Sequence, residues 1–200
     1  MLLKVKAMVV IIVGRISSGK MSFSHRLIDN YPLGGGMNVV YNGSQLVTEK
    51  TKEKLKDKLN VIRRRAKNGM FTTVVCNQTS RAEIQNLISS LRGVKTHVLI
   101  FDLDNALLEE FLSNNSTKYK KYDITKDMHK FNTIRNMEFP SNVICVTQIT
   151  NPKKIEKIEF ELEIWWDIFN LRFDGILNLK TFTWTLSMWM FGYLIHYNFV

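Results

Sequence analysis

The sequence predicts an α/β fold in which helices pack on both faces of a parallel five-stranded sheet. Short β-branched apolar runs alternate along residues 8–148 with segments whose apolar residues recur at helical spacing. Because the links between these segments are short, they are typical of strand–helix–strand units and a parallel sheet. The composition agrees, since 45% hydrophobic and 23% charged residues in a chain of 200 allow a sizeable core.

The individual elements follow from apolar periodicity and from residues that start or stop helices. The predicted strands lie at residues 8–13, 37–41, 71–76, 96–101 and 142–148. Four helices are predicted. The first buries one apolar face formed by Met21, Phe23, Leu27 and Ile28, and the second covers residues 46–68. The third begins at the capping box Ser80–Glu83, and the fourth covers residues 105–112. Residues 1–150 would then form the main domain.

The remaining residues, 151–200, have a different pattern. Apolar residues alternate with glutamates over 159–164 and with hydroxyl residues over 181–188, which predicts a small C-terminal antiparallel β appendage. Residues 181–200 contain no Lys, Arg, Asp or Glu and approach the length of a membrane span, so a membrane anchor is the alternative. The alternating hydroxyl groups favour the β appendage.

The segment that follows the first strand carries the clearest functional pattern. Residues 14–20 match the phosphate-binding pattern G-x-x-x-x-G-K. Glycines let the backbone curve so that N–H groups face an anion, and the lysine and the helix N-terminus add positive charge. The sequence therefore predicts a P-loop NTPase-type three-layer fold with ATP as ligand, and a plain glycine turn is the alternative. The candidate ATP-binding residues are Gly14, Ser17, Ser18, Gly19, Lys20, Met21 and Ser22.

The same segment lacks one group that the pattern needs for metal binding. Met21 stands where a Ser or Thr hydroxyl binds Mg²⁺, so ATP is a firmer expectation than the metal. Ser22 offers a hydroxyl, but one residue further along a helix is a rotation of about 100°. Asp102 follows the apolar run 98–101, as in a Walker B strand, and is the second candidate metal ligand. Alternatively, Asp102 caps the helix at 105 or turns the chain.

Charge and cysteine content indicate the partner and the compartment. The formal charge of +10 predicts an anionic partner such as a nucleotide or nucleic acid. Arg63, Arg64 and Arg65, on the predicted second helix, are the candidate nucleic-acid contacts, and a solvated basic helix face is the alternative. Cys76 and Cys145 fall in predicted strands, which indicates reduced thiols in a cytoplasmic protein. The four histidines have no zinc-ligand spacing.

With these elements placed, the chain resembles phage-type polynucleotide 5′-hydroxyl kinases and their P-loop relatives, including zeta-toxin-like kinases. The resemblance rests on residues 14–21, on 74–79, on 98–102 with the acidic helix that follows, and on a basic segment after Asn115 at the position of the family's lid. It implies ATP-dependent phosphorylation of a nucleic-acid 5′-hydroxyl end or a nucleotide. The catalytic residues that it implies are Lys20, Asp102, Lys118, Lys120 and Lys121.

Several positions depart from the family pattern. Residues 41–45 contain no carboxylate where the family has an aspartate that accepts the proton of the attacking hydroxyl, and Asn77 replaces an acidic residue. The lid segment offers lysines in place of arginines, with Arg135 further on. Together with Met21, these losses favour an alternative, a catalytically degenerate P-loop protein that binds nucleic acid or a partner protein through its basic surface. Such erosion would be typical of a viral protein.

Overall fold

The computed structural model describes residues 1–43, 45–47, 52–77, 80–113 and 131–161. In chain order its elements are β1 (Leu2–Val5), β2 (Val9–Gly14), α1 (Lys20–Asp29), β3 (Met37–Tyr41), β4 (Gln45–Val47), β5 (Lys52–Lys54), α2 (Leu55–Lys67), β6 (Thr72–Cys76), α3 (Arg81–Ser90), β7 (Thr96–Phe101), α4 (Asn105–Ser113), β8 (Val143–Ile149), a 3₁₀ turn (Pro152–Lys154) and β9 (Lys157–Phe160). Residues 131–135 are also helical. The predicted α/β class is confirmed.

The main sheet has the strand order β5-β4-β3-β6-β2-β7-β8. The five predicted strands, now β3, β6, β2, β7 and β8, are parallel neighbours, while β4 and β5 continue the sheet in the antiparallel sense. The strand that leads into the Gly-rich loop, β2, lies between β6 and β7. The carboxyl ends of both neighbours therefore flank the loop.

Two apolar clusters cover the two faces of this sheet. Ile11 belongs to a cluster that includes side chains of α2 and α3, whereas the adjacent Ile12 belongs to a cluster with side chains of α1, β1 and β9. Both isoleucines are fully buried, as expected of a strand covered on both faces. The three-layer arrangement is therefore confirmed.

The predicted helix at 46–68 is wrong in its first part. The chain turns at Gly43, where φ is 71°, and returns as β4 alongside β3, so that Leu46 pairs with Tyr41 and is fully buried. The helix itself covers only Leu55–Lys67. Its predicted buried residues Leu59 and Ile62 do lie in the core.

A second, two-stranded sheet joins distant parts of the chain. β1 pairs with β9 in the parallel sense, with Leu2 opposite Lys157, and β1 was not predicted. The ring of Phe160 packs at 5.2 Å from those of Tyr31 and Phe71, so β9 lies against the main core. The predicted domain boundary at residue 150 stays a prediction.

The rest of the predicted appendage, 162–200, lies outside the described residues, as does the anchor alternative at 181–200. No helix within the described ranges is long and apolar enough to cross a membrane.

A buried histidine connects β1, β7 and β8. The side chain of His97 is fully buried, its Nδ1 accepts a hydrogen bond from the backbone N–H of Lys6 at 3.3 Å, and its Nε2 lies 2.9 Å from the hydroxyl of Thr147. Burial, reinforced by Lys6 and opposed by Glu161, lowers the pKa of His97 from 6.5 to about 4. Since Nδ1 accepts, the neutral ring must donate from Nε2. Nearby Cys145 and the buried Cys76 are free thiols.

We predict that His97 makes the folded protein less stable as the pH falls from 6.5 to about 4. Between these two pH values His97 binds a proton in the unfolded chain but not in the folded chain. The free energy of unfolding therefore falls by ~3 kcal/mol over the whole range. Above pH 6.5 His97 is neutral in both states and adds no pH dependence. Urea unfolding across this range, compared between the wild type and His97→Gln, measures the effect. The prediction would be contradicted if the free energy of unfolding changed equally with pH in the wild type and in His97→Gln.

Candidate phosphate-binding site

The loop between β2 and α1 has the backbone of a tight anion-binding turn. Ser17 and Gly19 both take left-handed conformations, with φ of 57° and 81°. A Cβ on Gly14 would lie 2.6 Å from the Cβ of Phe101 and 3.0 Å from its carbonyl oxygen. Glycine at position 14 is therefore required by the close approach of β7, and the loop begins directly beside the end of that strand.

Lys20 is turned inward over this loop. Its Nζ donates to the carbonyl oxygen of Gly14 at 2.7 Å and to that of Arg15, and it lies 3.4 Å from the hydroxyl of Ser18. The lysine is 6% exposed. Ser18 is fully buried and donates to the carbonyl of Arg15 at 2.8 Å. The ammonium group thus lies inside the curve of the loop.

The N-terminus of α1 has no side-chain cap. The N-cap residue is Gly19, so no cap side chain accepts a hydrogen bond from the first-turn N–H groups, and the first turn contains no acidic residue. Within the described residues, the buried hydroxyl of Ser17 also has no hydrogen-bond partner. First-turn N–H groups and the helix dipole favour a bound anion at such an end. Together with Lys20, they form a candidate phosphate-binding site.

The two residues after Lys20 do not contribute to the interior of this site. The prediction that Met21 is buried on α1 is wrong, because its side chain is 40% exposed. Ser22 is exposed as well. The buried residues of α1 are instead Lys20, Phe23, Ser24 and Leu27, because the helix turns its 20, 23, 24 and 27 positions toward the sheet.

The carboxylate of Asp102 lies on the β7 side of the loop. It follows Phe101, which is paired with Gly14 in the sheet register. Its side chain is 12% exposed, and Oδ2 lies 2.5 Å from Nη2 of Arg135 in the helical segment 131–135. The proposed capping role belongs instead to the next carboxylate, because Asp104 Oδ1 accepts from the backbone N–H of Leu107 at 2.7 Å.

A cavity of about 350 Å³ opens beside Asp102. Its walls combine charged, amide and apolar side chains: Arg15, Asp102, Leu103, Asp104, Asn105, Phe131, Asn132, Arg135 and Thr150. Arg15 links this cavity to the loop, since it follows Gly14 directly and its Nη1 donates to Asn105 Oδ1 at 2.7 Å. The volume is within the range of small-molecule pockets.

The described residues do not fit a magnesium ion at this loop. Mg²⁺ prefers oxygen ligands in an octahedron, and Met21 offers only a thioether. Asp102, the other expected ligand, is paired with a guanidinium. Among the described residues, no three His, Cys, Asp or Glu side chains come together as a metal-binding group. Ser22 and Asp102 were predicted as metal ligands, and these contacts do not support that role.

On the opposite side of the loop, α3 supplies a carboxylate at the end of β3. Glu83 lies so close to Gly43 that a Cβ there would be 2.1 Å from Oε1. Its Oε2 accepts from the backbone N–H of Ser80 at 2.6 Å, which confirms the predicted capping box. Asn77 is exposed, and its N–H donates to the carbonyl of Tyr41 at 2.8 Å. Sequence reasoning missed Glu83 at this place because it comes from another element.

The three consecutive arginines of α2 do not share one surface. Arg63 donates to the carbonyl of Ser90 and to Asn60 Oδ1 at 2.8 Å. Arg65 donates to Thr72 Oγ1 and to the carbonyl of Phe71, each at 3.2 Å, and to that of Gly35. Of the three, only Arg64 is exposed, while Arg63 and Arg65 are half-buried. Their role in nucleic-acid binding stays a prediction, and these contacts favour a structural role for Arg63 and Arg65.

The remaining predicted catalytic residues cannot be placed. Lys118, Lys120 and Lys121 fall at 114–130, outside the described residues. Arg15, Asn105 and Arg135 are the site residues that sequence reasoning did not assign. No local pattern singles them out, because Arg15 stands at an unspecified position of the loop pattern, while Asn105 and Arg135 come from α4 and from the helical segment 131–135.

Comparison with known proteins gives fold-level likeness only. No protein-family model matches the chain, and no curated protein matches it. An unliganded sugar kinase from Janibacter sp. is 13% identical, with 81% of this chain and 90% of that chain covered and a TM-score of 0.42. A gluconokinase from Sinorhizobium meliloti is 15% identical, with 86% and 95% covered and a TM-score of 0.38. The fold assignment rests on the sheet order and the loop geometry described above.

We predict that Arg65→Ala destabilises the protein by about 1–3 kcal/mol, because charge-assisted hydrogen bonds to the backbone carbonyls of Phe71 and Gly35 and to Thr72 Oγ1 are lost. The matched control is Arg64→Ala on the adjacent, exposed position, which should change the free energy of unfolding by less than ~0.5 kcal/mol. Urea unfolding of both variants measures the difference. Equal effects of the two substitutions would contradict the structural role of Arg65.

Proposed function

We propose that this protein binds a nucleoside triphosphate at Gly14–Lys20 and transfers its terminal phosphoryl group to a hydroxyl acceptor. The observation that carries the proposal is the uncapped N-terminus of α1, which follows a left-handed loop with Lys20 turned into it. Anion recognition by backbone N–H groups, a lysine and a helix dipole is what a polyphosphate requires. ATP is the nucleotide that we propose.

Binding of phosphate would change the partners of Lys20. In the structure its ammonium group donates to neutral carbonyl oxygens of the loop. Phosphate oxygens carry negative charge, and hydrogen bonds between charged groups are about twice as strong as neutral ones. The ammonium group therefore gains by moving from the loop carbonyls to the phosphates. Exchange of this kind couples nucleotide binding to the conformation of the loop.

We place the nucleoside part of the ligand in the cavity beside the loop. Arg15 belongs to the loop by its backbone and to the cavity wall by its side chain, so the two sites are continuous. Asn105, Asn132 and Thr150 offer hydrogen-bonding groups, and Phe131 offers apolar contact. A base and ribose need both kinds of contact.

For the acceptor we propose a 5′-hydroxyl end of a nucleic acid, or a nucleotide. This choice is supported by the resemblance to polynucleotide kinases and by the net charge of +10, which favours a polyanionic acceptor. In the transfer, the bond between the terminal phosphorus and its bridging oxygen breaks as a bond to the acceptor oxygen forms, the nucleoside diphosphate leaves, and the proton of the acceptor hydroxyl passes to solvent water. Positioning and positive charge carry most of the catalysis of such a step.

A second candidate function is binding without catalysis. It is favoured by one specific observation, the pairing of Asp102 with Arg135, combined with the methionine at position 21. A protein of this kind would use the loop to sense a nucleotide, or its basic surface to hold nucleic acid or a partner protein. Phosphoryl transfer would then be absent although ATP binds.

We predict that Lys20→Ala weakens ATP binding at least about tenfold, or ~1.4 kcal/mol, and abolishes transfer to a 5′-hydroxyl oligonucleotide. The physical reason is the loss of the positive charge that lies within the loop. Calorimetric titration and transfer of label from γ-labelled ATP measure the two effects. The control is Lys67→Ala, an exposed lysine in the last turn of α2, which should leave both unchanged. Wild-type-like ATP binding by Lys20→Ala would overturn the proposed function.

The binding-only alternative makes a different prediction for nucleic acid. If it holds, an oligonucleotide binds without ATP, its affinity falls steeply with salt, and Lys20→Ala binds it as the wild type does. Fluorescence anisotropy at several salt concentrations measures this affinity. A 5′-labelled product after incubation with γ-labelled ATP would rule the alternative out.

A further inference from the structure

The carboxylate best placed to hold a divalent cation near the loop contacts a fixed positive charge. Asp102 is largely buried, and its Oδ2 lies 2.5 Å from the guanidinium of Arg135. A guanidinium does not lose its proton in proteins, so this charge persists at every physiological pH. The carboxylate is therefore already neutralised by the chain itself.

Two further oxygen ligands expected near the loop are, among the described residues, missing or engaged. Met21 replaces the hydroxyl that follows the lysine, and its side chain faces outward. The Oδ1 of Asp104 holds the start of α4 through the N–H of Leu107. A metal ion at this loop would have to displace Arg135 from Asp102, whose side chain is 12% exposed. The two cations would compete for one carboxylate oxygen.

The chain brings three cationic groups to the same place. Lys20 lies inside the loop, while Arg15 and Arg135 line the adjoining cavity. The two guanidinium groups come from different parts of the chain, the loop after β2 and the helical segment 131–135, and offer planar donors of the kind that match phosphate oxygens. Lys20 and Arg15, with the guanidinium of Arg135 that Asp102 shares, supply positive charge for a polyphosphate without a metal.

We infer that the loop binds its polyphosphate without a divalent cation, and that Arg135 supplies beside Asp102 the positive charge that magnesium would supply. The inference rests on the proposed function and deepens it, because it names what balances the phosphate charge. The site would therefore differ from one that has only lost its metal, because the side chain of Arg135 contacts the carboxylate that the metal would use.

The first experiment is a pair of calorimetric titrations of the wild-type protein with ATP, one in excess Mg²⁺ and one in EDTA. The inference expects dissociation constants that agree within about threefold. Binding that is at least about tenfold tighter with Mg²⁺ would overturn the inference and leave the proposed function standing. Absence of ATP binding under both conditions would overturn the proposed function, and the inference with it.

The second experiment removes the guanidinium. Arg135→Gln should weaken ATP binding in EDTA about tenfold, and Mg²⁺ should now restore part of the loss because Asp102 is freed. The control is Arg92→Gln, an exposed arginine just after α3, which should bind ATP as the wild type does under both conditions. Undiminished binding by Arg135→Gln in EDTA would show that Arg135 is not the counter-charge.

A further variant decides the question if Arg135→Gln fails to fold, as judged by thermal unfolding. Asp102→Asn keeps the size of the side chain and leaves Arg135 in place. The inference expects it to bind ATP in EDTA at least as tightly as the wild type, since an arginine is released toward the phosphates. Loss of binding in EDTA on removal of this carboxylate would overturn the inference.

Discussion

The close approach of β2 and β7 at their carboxyl ends is the constraint on which the site depends. Gly14 pairs with Phe101 at the last position of the register, where even one extra carbon atom on Gly14 would collide. The loop therefore starts in contact with β7, and the residue after Phe101 is Asp102. Arg15 can reach Asn105 at the start of α4 for the same reason. The loop, the carboxylate and the cavity are neighbours because two strands touch at a glycine.

Much of the fold was predictable because the central strands are buried on both faces and appear as uninterrupted apolar runs. Where prediction failed, the deciding contact was distant in sequence. Residues 45–54 have the composition of a helix, but Leu46 is buried by pairing with β3, and local periodicity does not contain that contact. Likewise, Leu2–Val5 become a strand only because Lys157–Phe160 lie beside them.

In the candidate site, too, local patterns could be read from the sequence and contacts between distant residues could not. The loop residues are contiguous, so a sequence pattern finds them, and their φ angles and contacts agree with an anion-binding turn. The pairing of Arg135 with Asp102 joins two separate elements and leaves no trace in either. The backbone carbonyls that accept from Arg63 and Arg65 are likewise not visible in the local sequence pattern, because these contacts appear only in the folded chain.

The parallel pair of β1 and β9 has a consequence for the order in which the chain is completed during synthesis. β1, which carries the buried Leu3 and Val5, pairs with β9, and β9 ends at Phe160. At ribosomal rates of about 5–20 residues per second, this partner emerges on the order of ten seconds or more after β1. The strands of the main sheet all precede it and can pair first. Leu2–Val5 thus pair with β9 only after the strands of the main sheet have been synthesised, and the ring contacts of Tyr31 and Phe71 with Phe160 form after the same interval.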